Sequence, residues 1–440
     1  MLDIQSHFDE VLSKYSNNQE DLVVAYSGGV DSTVILHLAL QYAQKESKTL
    51  KAIHINHQIS SNADAWQQHC EHQCELLGIK CYSVKVDVAK DAKKGLEAAA
   101  RDARYEAIAQ RLDNQSIVLL GQHQDDQGET LLLQLMRGAG PKGLSSMPEY
   151  KLQNNLHYLR PLLGVTRAQI LDFAKNENLQ WIEDESNQST KFDRNFLRHQ
   201  IVPVLQQRWP EANKVLAKSA LRCADESQVL QEYMALLAND ILGEDKSIFV
   251  DKFALLSDVT KTAFVRYWCE LLNLPLPNAT QLDQIVAFPD AKSDKQPQVN
   301  LGENVISKFN DKIYVYKTPS PQPQSQLISE FPFTISSANV RLSLAQTPES
   351  ANFHLPNNSQ LRVEYGVLTA TIKPFSNRPT KALKDWCKEW NIPPWERQNI
   401  PLLMLGDKLL AVIAEQLYVD CAYAKPLIDS KGVSLERVTP

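Results

Sequence analysis

The stretch "DLVVAYSGGVDSTVILHLAL", residues 21–40, passes from a short β-branched run through two adjacent glycines straight into a helical pattern. The same alternation repeats along the next 140 or so residues. β-branched runs at 21–26, 49–56, 80–86 and 116–121 are separated by longer amphipathic stretches near 31–45, 63–77 and 95–111. Strands alternating with helix-length segments predict an α/β domain, a doubly wound parallel sheet with helices on both faces. A further helix over 166–176 opens with the capping box Thr166 to Gln169, and another, 193–208, leads to Pro210.

Beyond Pro210 the pattern changes. "ALRCADESQVLQEYMALLANDIL" and "KTAFVRYWCELLNL" carry apolar residues at three- and four-residue spacing, so a mainly helical domain is expected over 211–317. "TPSPQPQSQLISE", with three prolines and three glutamines, suits an extended linker over 318–330. Residues 331–440 read as a small α+β domain. At roughly 150 residues per domain, 440 residues accommodate such a chain. A net charge of −6 argues against coating nucleic acid through bulk positive charge, so a polyanionic partner must be held by local basic patches. The acidic "MLDIQSHFDEVLSKY" does not resemble a signal peptide, no apolar run reaches membrane-spanning length, and seven scattered cysteines form no secreted disulfide framework. A cytoplasmic protein with no membrane partner is expected.

The glycine loop follows a strand and opens a helix, where backbone N–H groups and the helix dipole converge on an anion. Gly28 and Gly29 allow close approach, and Ser27 and Ser32 add hydroxyls. A phosphate chain fits, yet no lysine stands where a Walker A loop requires one. Asp31 would repel phosphate unless a hard divalent cation such as Mg2+ lay between them. A capped glycine turn would account for Gly28 and Gly29 but not for the whole set.

"SGGVDS" after an apolar strand resembles the signature of the pyrophosphatase-loop family, which cleaves ATP to AMP and pyrophosphate while adenylating a substrate. "HINHQI", "ARDARYEAI", "GQHQDDQGETLLLQLMRGAGPKGLSSM", "RPLL", "WIEDESN", "DRNFLRHQIVP" and the C-terminal "RPTKALKDWCKEWNIPPWERQNIPLL" together resemble the tRNA(Ile)-lysidine synthetase family over nearly the full length. Gln58 departs from it, standing where relatives commonly carry glycine. The resemblance implies an adenine nucleotide alpha hydrolase-like fold for residues 1–210 and a ligase that joins L-lysine to the wobble cytidine of the CAU anticodon of tRNA(Ile). The cytidine is adenylated by ATP, lysine then displaces AMP, and decoding changes from AUG to AUA. A homodimer is compatible with the resemblance.

Site residues follow from the same comparison. ATP is expected at Ser27, Gly28, Gly29, Val30, Asp31, Ser32 and His57, with Asp31 holding the metal. Asp126 and Glu129 of "HQDDQGET" are expected to take lysine; taken alone, acids in a first helical turn are ordinary dipole partners. Arg194 and Arg198, four apart, are expected on the α-phosphate, and Arg104 near the target base; the plain alternative is solvated arginine. Lys381, Lys384 and Lys388 are read as one helix face that, with Arg378, holds tRNA phosphates. Cys70 and Cys74 fall on an apolar stripe with Trp66 and Leu77, which reads as a buried face and not a zinc site. No C-x-x-C pair or N-terminal cysteine points to a thiolating or glutaminase reaction; a non-catalytic tRNA-binding protein is the other rival.

Overall fold

The computed structural model describes residues 3–16, 21–87, 96–113, 116–183, 185, 190, 192–291, 296–318, 322–357, 359–426 and 429–438. The chain forms two compact units, residues 1–233 and 234–440. No helix among the described residues is long and apolar enough to cross a membrane.

In the first unit, α1 (Ile4–Tyr15) precedes β1 (Asp21–Ala25), α2 (Val30–Lys45), β2 (Leu50–Asn56), α3 (Ala63–Leu76), β3 (Lys80–Lys85), α4 (Leu96–Arg111), β4 (Ser116–Leu119), α5 (Gln124–Met136), α6 (Pro141–Leu144), β5 (Tyr150–Gln153), β6 (Leu156–Leu159) and α7 (Arg167–Asn176). The sheet order is β3-β2-β1-β4-β6-β5, with only the edge strand β5 antiparallel. Successive residues of β1 face opposite ways. Leu22 and Val24 join a core with α1, α2, α3 and α7, whereas Val23 joins Tyr105 and Ile108 of α4 on the other face. Cys70 and Cys74 are fully buried in the first of these cores, as their spacing predicts. The chain winds outward from β1 to β2 and β3, then returns to β4 on the opposite side. The carboxyl ends of β1 and β4 therefore flank a topological switch point, where open α/β sheets leave a crevice.

The β5–β6 hairpin is not anticipated by the sequence reading. Its signal is Asn154-Asn155, both at positive φ (51° and 59°), the conformation of a tight two-residue hairpin turn. The helix expected over 193–208 is broken into α8 (Asp193–Phe196), a π-turn at Leu197–Ile201 and α9 (Val202–Arg208). Pro203 explains the break, because it has no N–H to donate to the carbonyl four residues earlier and its ring crowds that group. Gln58 has φ 54°, so the glycine-like conformation is kept without glycine, and its N–H donates to Asn56 Oδ1 at 2.9 Å.

The long helix α10 (Ala212–Ile241) begins in the first unit. In the second unit α11 (Val250–Ala254), α12 (Asp258–Leu271) and α13 (Ala279–Val286) close on Phe253, Phe264 and Trp268. The region read as helical to 317 ends instead in strands. β7 (Ile248–Phe249), β8 (Gln298–Leu301), β9 (Asn304–Phe309) and β10 (Lys312–Lys317) form an antiparallel sheet in the order β7-β10-β9-β8. Their two-residue alternation packs Val299, Leu301, Ile306 and Ile313 onto the helices. Part of the segment read as linker is also a strand: β11 (Gln326–Ile328) pairs with residues 361–363, and Ile328 is buried in the terminal core. That core is shared by a five-stranded and a four-stranded antiparallel sheet. Beside it α14 (Leu383–Glu389) buries Trp386 and Cys387, followed by α15 (Pro394–Arg397).

Candidate active site

A cavity of about 580 Å³ opens at the carboxyl ends of β1, β2 and β4, and its wall includes Ser27, Gly29, Asp31, Ser32, His57, Arg104, Asp126, Arg194 and Arg198. The expected nucleotide, base and lysine residues, more than 160 positions apart in sequence, thus share one crevice. Gly28 and Val30 of the same loop are absent from the wall, and so is Glu129, the second residue expected to take lysine.

The loop is built around Gly28. Its φ of 84° is the left-handed region, and a Cβ there would lie 2.7 Å from Ile182 Cδ1 and 3.0 Å from Cys70 Sγ. Its carbonyl accepts the Ile182 N–H at 2.9 Å, which ties the loop to the segment after α7. Gly29 is the N-cap of α2 and supplies no side-chain cap, so the first-turn N–H groups stay available to an anion. Ser32 Oγ instead ties the loop together, accepting the Ser27 N–H at 3.2 Å and donating to the Gly29 carbonyl at 3.0 Å.

Asp31 Oδ2 accepts from Arg167 Nη1 at 3.4 Å, while Oδ1 is buried with no hydrogen-bond partner. Burial pushes the Asp31 carboxyl up from its ordinary range, against the pull of His123 and Arg167. A buried carboxylate oxygen without a donor, beside a loop shaped for phosphate, fits a divalent cation that accepts oxygen ligands from both.

Helix α5 carries Asp126, which lines the cavity, and Glu129, which does not; they are buried at 8% and 3% exposure. Both are already engaged. Arg194 reaches Glu129 Oε2 at 2.9 Å and Asp126 Oδ1 at 3.0 Å; Arg198 grips Glu129 through Nε at 2.6 Å and Nη2 at 2.8 Å, and Asp126 at 2.9 Å. Two guanidinium groups and two carboxylates form a neutral, charge-assisted cluster. Burial opposes the Asp126 charge, yet His123, Arg194 and Arg198 together hold its carboxyl below the usual range. Burial likewise opposes the Arg198 charge, but Glu129, Asp126 and Asp31 together outweigh it and raise its pKa. The neighbouring Asp125 is spent on structure: Oδ2 accepts the Arg167 N–H at 2.9 Å and Oδ1 accepts from Asn213 of α10.

Two residues at the site lie outside the expected set of ligands. His123 is 1% exposed and neither ring nitrogen makes a hydrogen bond, although Asp126, Asp125 and Asp31 lie 3.5, 3.7 and 3.8 Å away. Arg167 meets Asp31 across 136 residues of sequence, a pairing that no local spacing announces. His57 lines the cavity with Nδ1 buried and unpartnered; desolvation, reinforced by Arg104, lowers its pKa to about 4. Within "WIEDESN", Glu183 and Glu185 are exposed and Asp184 lies outside the described residues.

The basic stripe near the C-terminus differs from its expected form. Lys381 is not on the helix: it sits in a two-residue strand, Lys381–Ala382, because the backbone at Ala382 is extended and α14 starts at Leu383. Only Lys384 and Lys388 share a helical face. Glu389 pairs with Lys381 and, at 2.6 Å, with Arg378, so half of the expected patch carries its own counter-charge. Lys388 stands 3.9 Å from Asp385, and Lys384 has no ion pair among the described residues.

Family models match three parts of the chain: a PP-loop domain over residues 1–205, a TilS substrate binding domain over 250–314 and a TilS substrate C-terminal domain over 361–429. Among curated proteins, the tRNA(Ile)-lysidine synthase of Vibrio parahaemolyticus is 36% identical over 430 residues, covering 96% of this chain and 97% of its own. That of Edwardsiella ictaluri is 34% identical, covering 94% and 93%, and that of Yersinia pestis 35% identical, covering 89% and 88%. Likeness at this level along almost the whole length of both partners, over a chain whose glycine loop and Asp126 line one crevice, shows that this protein belongs to the tRNA(Ile)-lysidine synthase family.

Proposed function

We propose that the chain joins L-lysine to the wobble cytidine of the CAU anticodon of tRNA(Ile) in two steps within the cavity, so that the tRNA reads AUA in place of AUG. In the first, the cytidine carbonyl oxygen attacks the α-phosphate of ATP and pyrophosphate leaves. In the second, the lysine ε-amine attacks the ring carbon that bears this oxygen, the carbon–oxygen bond breaks so that AMP departs with the oxygen, and the amine loses a proton.

The loop Ser27 to Ser32 binds the phosphates through its N–H groups, and His57, neutral at working pH, offers a ring nitrogen to a base. Mg2+, held by Asp31 and the phosphates, would supply charge neutralisation there. Arg104 lies by the cytidine. Asp126 and Glu129 receive the lysine, and one of them accepts its proton, since the amine must be neutral to attack. The observation that carries this reading is the four-member cluster: the carboxylates expected to bind lysine are the ones that hold the arginines expected to bind phosphate. An arriving lysine ammonium replaces a guanidinium at Asp126 and Glu129, and the freed arginine turns to the α-phosphate. Lysine binding and activation of the nucleotide are thereby coupled by charge exchange. The modules of residues 234–440 bind the tRNA, with Arg378, Lys381, Lys384 and Lys388 on its phosphates.

Incubation with ATP, lysine and total tRNA, followed by digestion to nucleosides, tests the reading. A nucleoside heavier than cytidine by lysine minus water, found only in isoleucine tRNA, is expected. ATP turnover with no such product contradicts it.

A further inference from the structure

A second cavity, of about 400 Å³, lies within residues 234–440 and takes no part in the chemistry above. Its floor is the outward face of the β8-β9-β10 sheet. Register places Asn300, Val305 and Tyr316 in one cross-strand row and Gln298 and Ser307 in the next, all of which line the cavity. Trp395 of α15 closes one side, its ring stacked on Tyr316 at 4.2 Å and 9°. Polarity therefore runs across the sheet, from amides on the edge strand β8 to Tyr316 of β10 and the Trp395 ring stacked on it.

The chemistry of this lining is selective. Every named side chain on it is uncharged, so phosphate, lysine and metal ions find no counter-charge there. Gln298 and Asn300 are exposed, and their amides make no hydrogen bond among the described residues. Each presents a donor and an acceptor side by side, the arrangement that pairs with the edge of a base. The volume falls in the range of roughly 300–1,000 Å³ common for small-molecule pockets. A flat, neutral group with a patterned edge is the ligand that meets all of these conditions. Proteins that read RNA sequence do so mainly on unpaired bases, by stacking on aromatic rings and bonding to base edges. The floor up to residue 314 belongs to the segment that matches the substrate binding domain model, and the wall at Trp395 to the one that matches the substrate C-terminal domain model.

We propose that this cleft holds one unpaired nucleobase of the tRNA, outside the anticodon, against the Tyr316–Trp395 stack and read at its edge by Gln298 and Asn300. The inference rests on tRNA being the substrate. It gives the protein a contact that distinguishes tRNAs sharing an anticodon, independent of the phosphate backbone.

The test uses the full chain and an unmodified tRNA(Ile) transcript, probed with reagents that modify the base-pairing edges of all four bases. Wild-type protein is expected to protect one unpaired base outside the anticodon. The double variant Gln298→Ala, Asn300→Ala, at exposed positions that leave the core intact, loses that protection and about tenfold in affinity. Its slope of log affinity against log salt is unchanged, because no phosphate contact is lost. Unchanged protection and affinity in the variant overturn the inference, and so does a shallower salt slope, which would mark a phosphate site. Lysidine formation on the same transcript is followed in parallel. If wild-type protein forms none, the functional reading fails; if it forms lysidine while protection is indifferent to the variant, only the pocket assignment fails.

Discussion

At the scale of single residues, the site is a set of charges arranged to be incomplete. Asp31 keeps one buried oxygen without a donor. Asp31→Ala is expected to abolish tRNA-dependent pyrophosphate release while tRNA affinity, measured by filter binding, stays nearly unchanged; equal loss of both would contradict its assignment to the phosphates. Glu129 accepts from both arginines. Glu129→Gln removes the charge on which the proposed exchange of guanidinium for lysine depends, so the KM for lysine should rise roughly tenfold or more with the KM for ATP much less affected. Equal rises would place the segment with the nucleotide. His57 carries a depressed pKa of about 4, so the unfolded chain binds its proton first as pH falls. The sign follows: stability contributed by the neutral ring is intact above the unfolded value of about 6.5 and declines from there down through about 4. NMR titration of the His57 ring should show it neutral at pH 5.5, and a midpoint near 6.5 would refute the burial argument.

Elements act here by fixing where loops can go. The phosphate loop packs on α3 and on the chain after α7, with Cys70 and Ile182 both crowding the face of Gly28 where a Cβ would stand. Gly28→Ala meets both a left-handed φ, at roughly 1–2 kcal/mol, and a steric overlap with the half-buried Ile182 side-chain end and the buried Cys70 thiol. The expected result is a folded protein with a lower unfolding midpoint and strongly impaired ATP binding by calorimetry; wild-type ATP affinity would show that the loop tolerates displacement. The π-turn at Leu197–Ile201 works similarly. It lets α8 and α9 continue past Pro203 while Arg194 and Arg198 converge on the same two acids.

For the whole molecule, the question is how the terminal module is carried. Its Trp395 packs on Phe309, Tyr314 and Tyr316 of the preceding sheet, and β11 draws residues 326–328 into its core. Removal of residues 318–440 should therefore leave ATP binding intact, since the phosphate loop lies in the first unit, but expose an aromatic face. Increased binding of a hydrophobic dye and a lowered solubility limit are expected, together with loss of most tRNA affinity. The double variant Lys384→Gln, Lys388→Gln should weaken tRNA binding without exposing that face and reduce the salt slope by about 1–2. Parallel slopes for variant and wild type would make those lysines a solvated surface.

The amino-acid sequence by itself determined the periodicities: four strands and their intervening helices, the capping box at Thr166, the buried cysteine stripe and the glycine loop all depend on neighbours within a few turns. These are local effects, set by side-chain spacing and backbone preference, and a linear reading contains them. Family resemblance carried the chemistry of the loop and the acids further than spacing alone allowed. Only the tertiary structure decided the partners. That Asp125 caps α7 while Asp126 and Glu129 hold two arginines 65 to 72 residues away, that Arg167 meets Asp31, and that His123 is enclosed by three carboxylates are facts of long-range packing. The strands at 298–317 were missed for a related reason, since short alternating runs acquire their meaning only when a neighbouring strand and a helical face complete them.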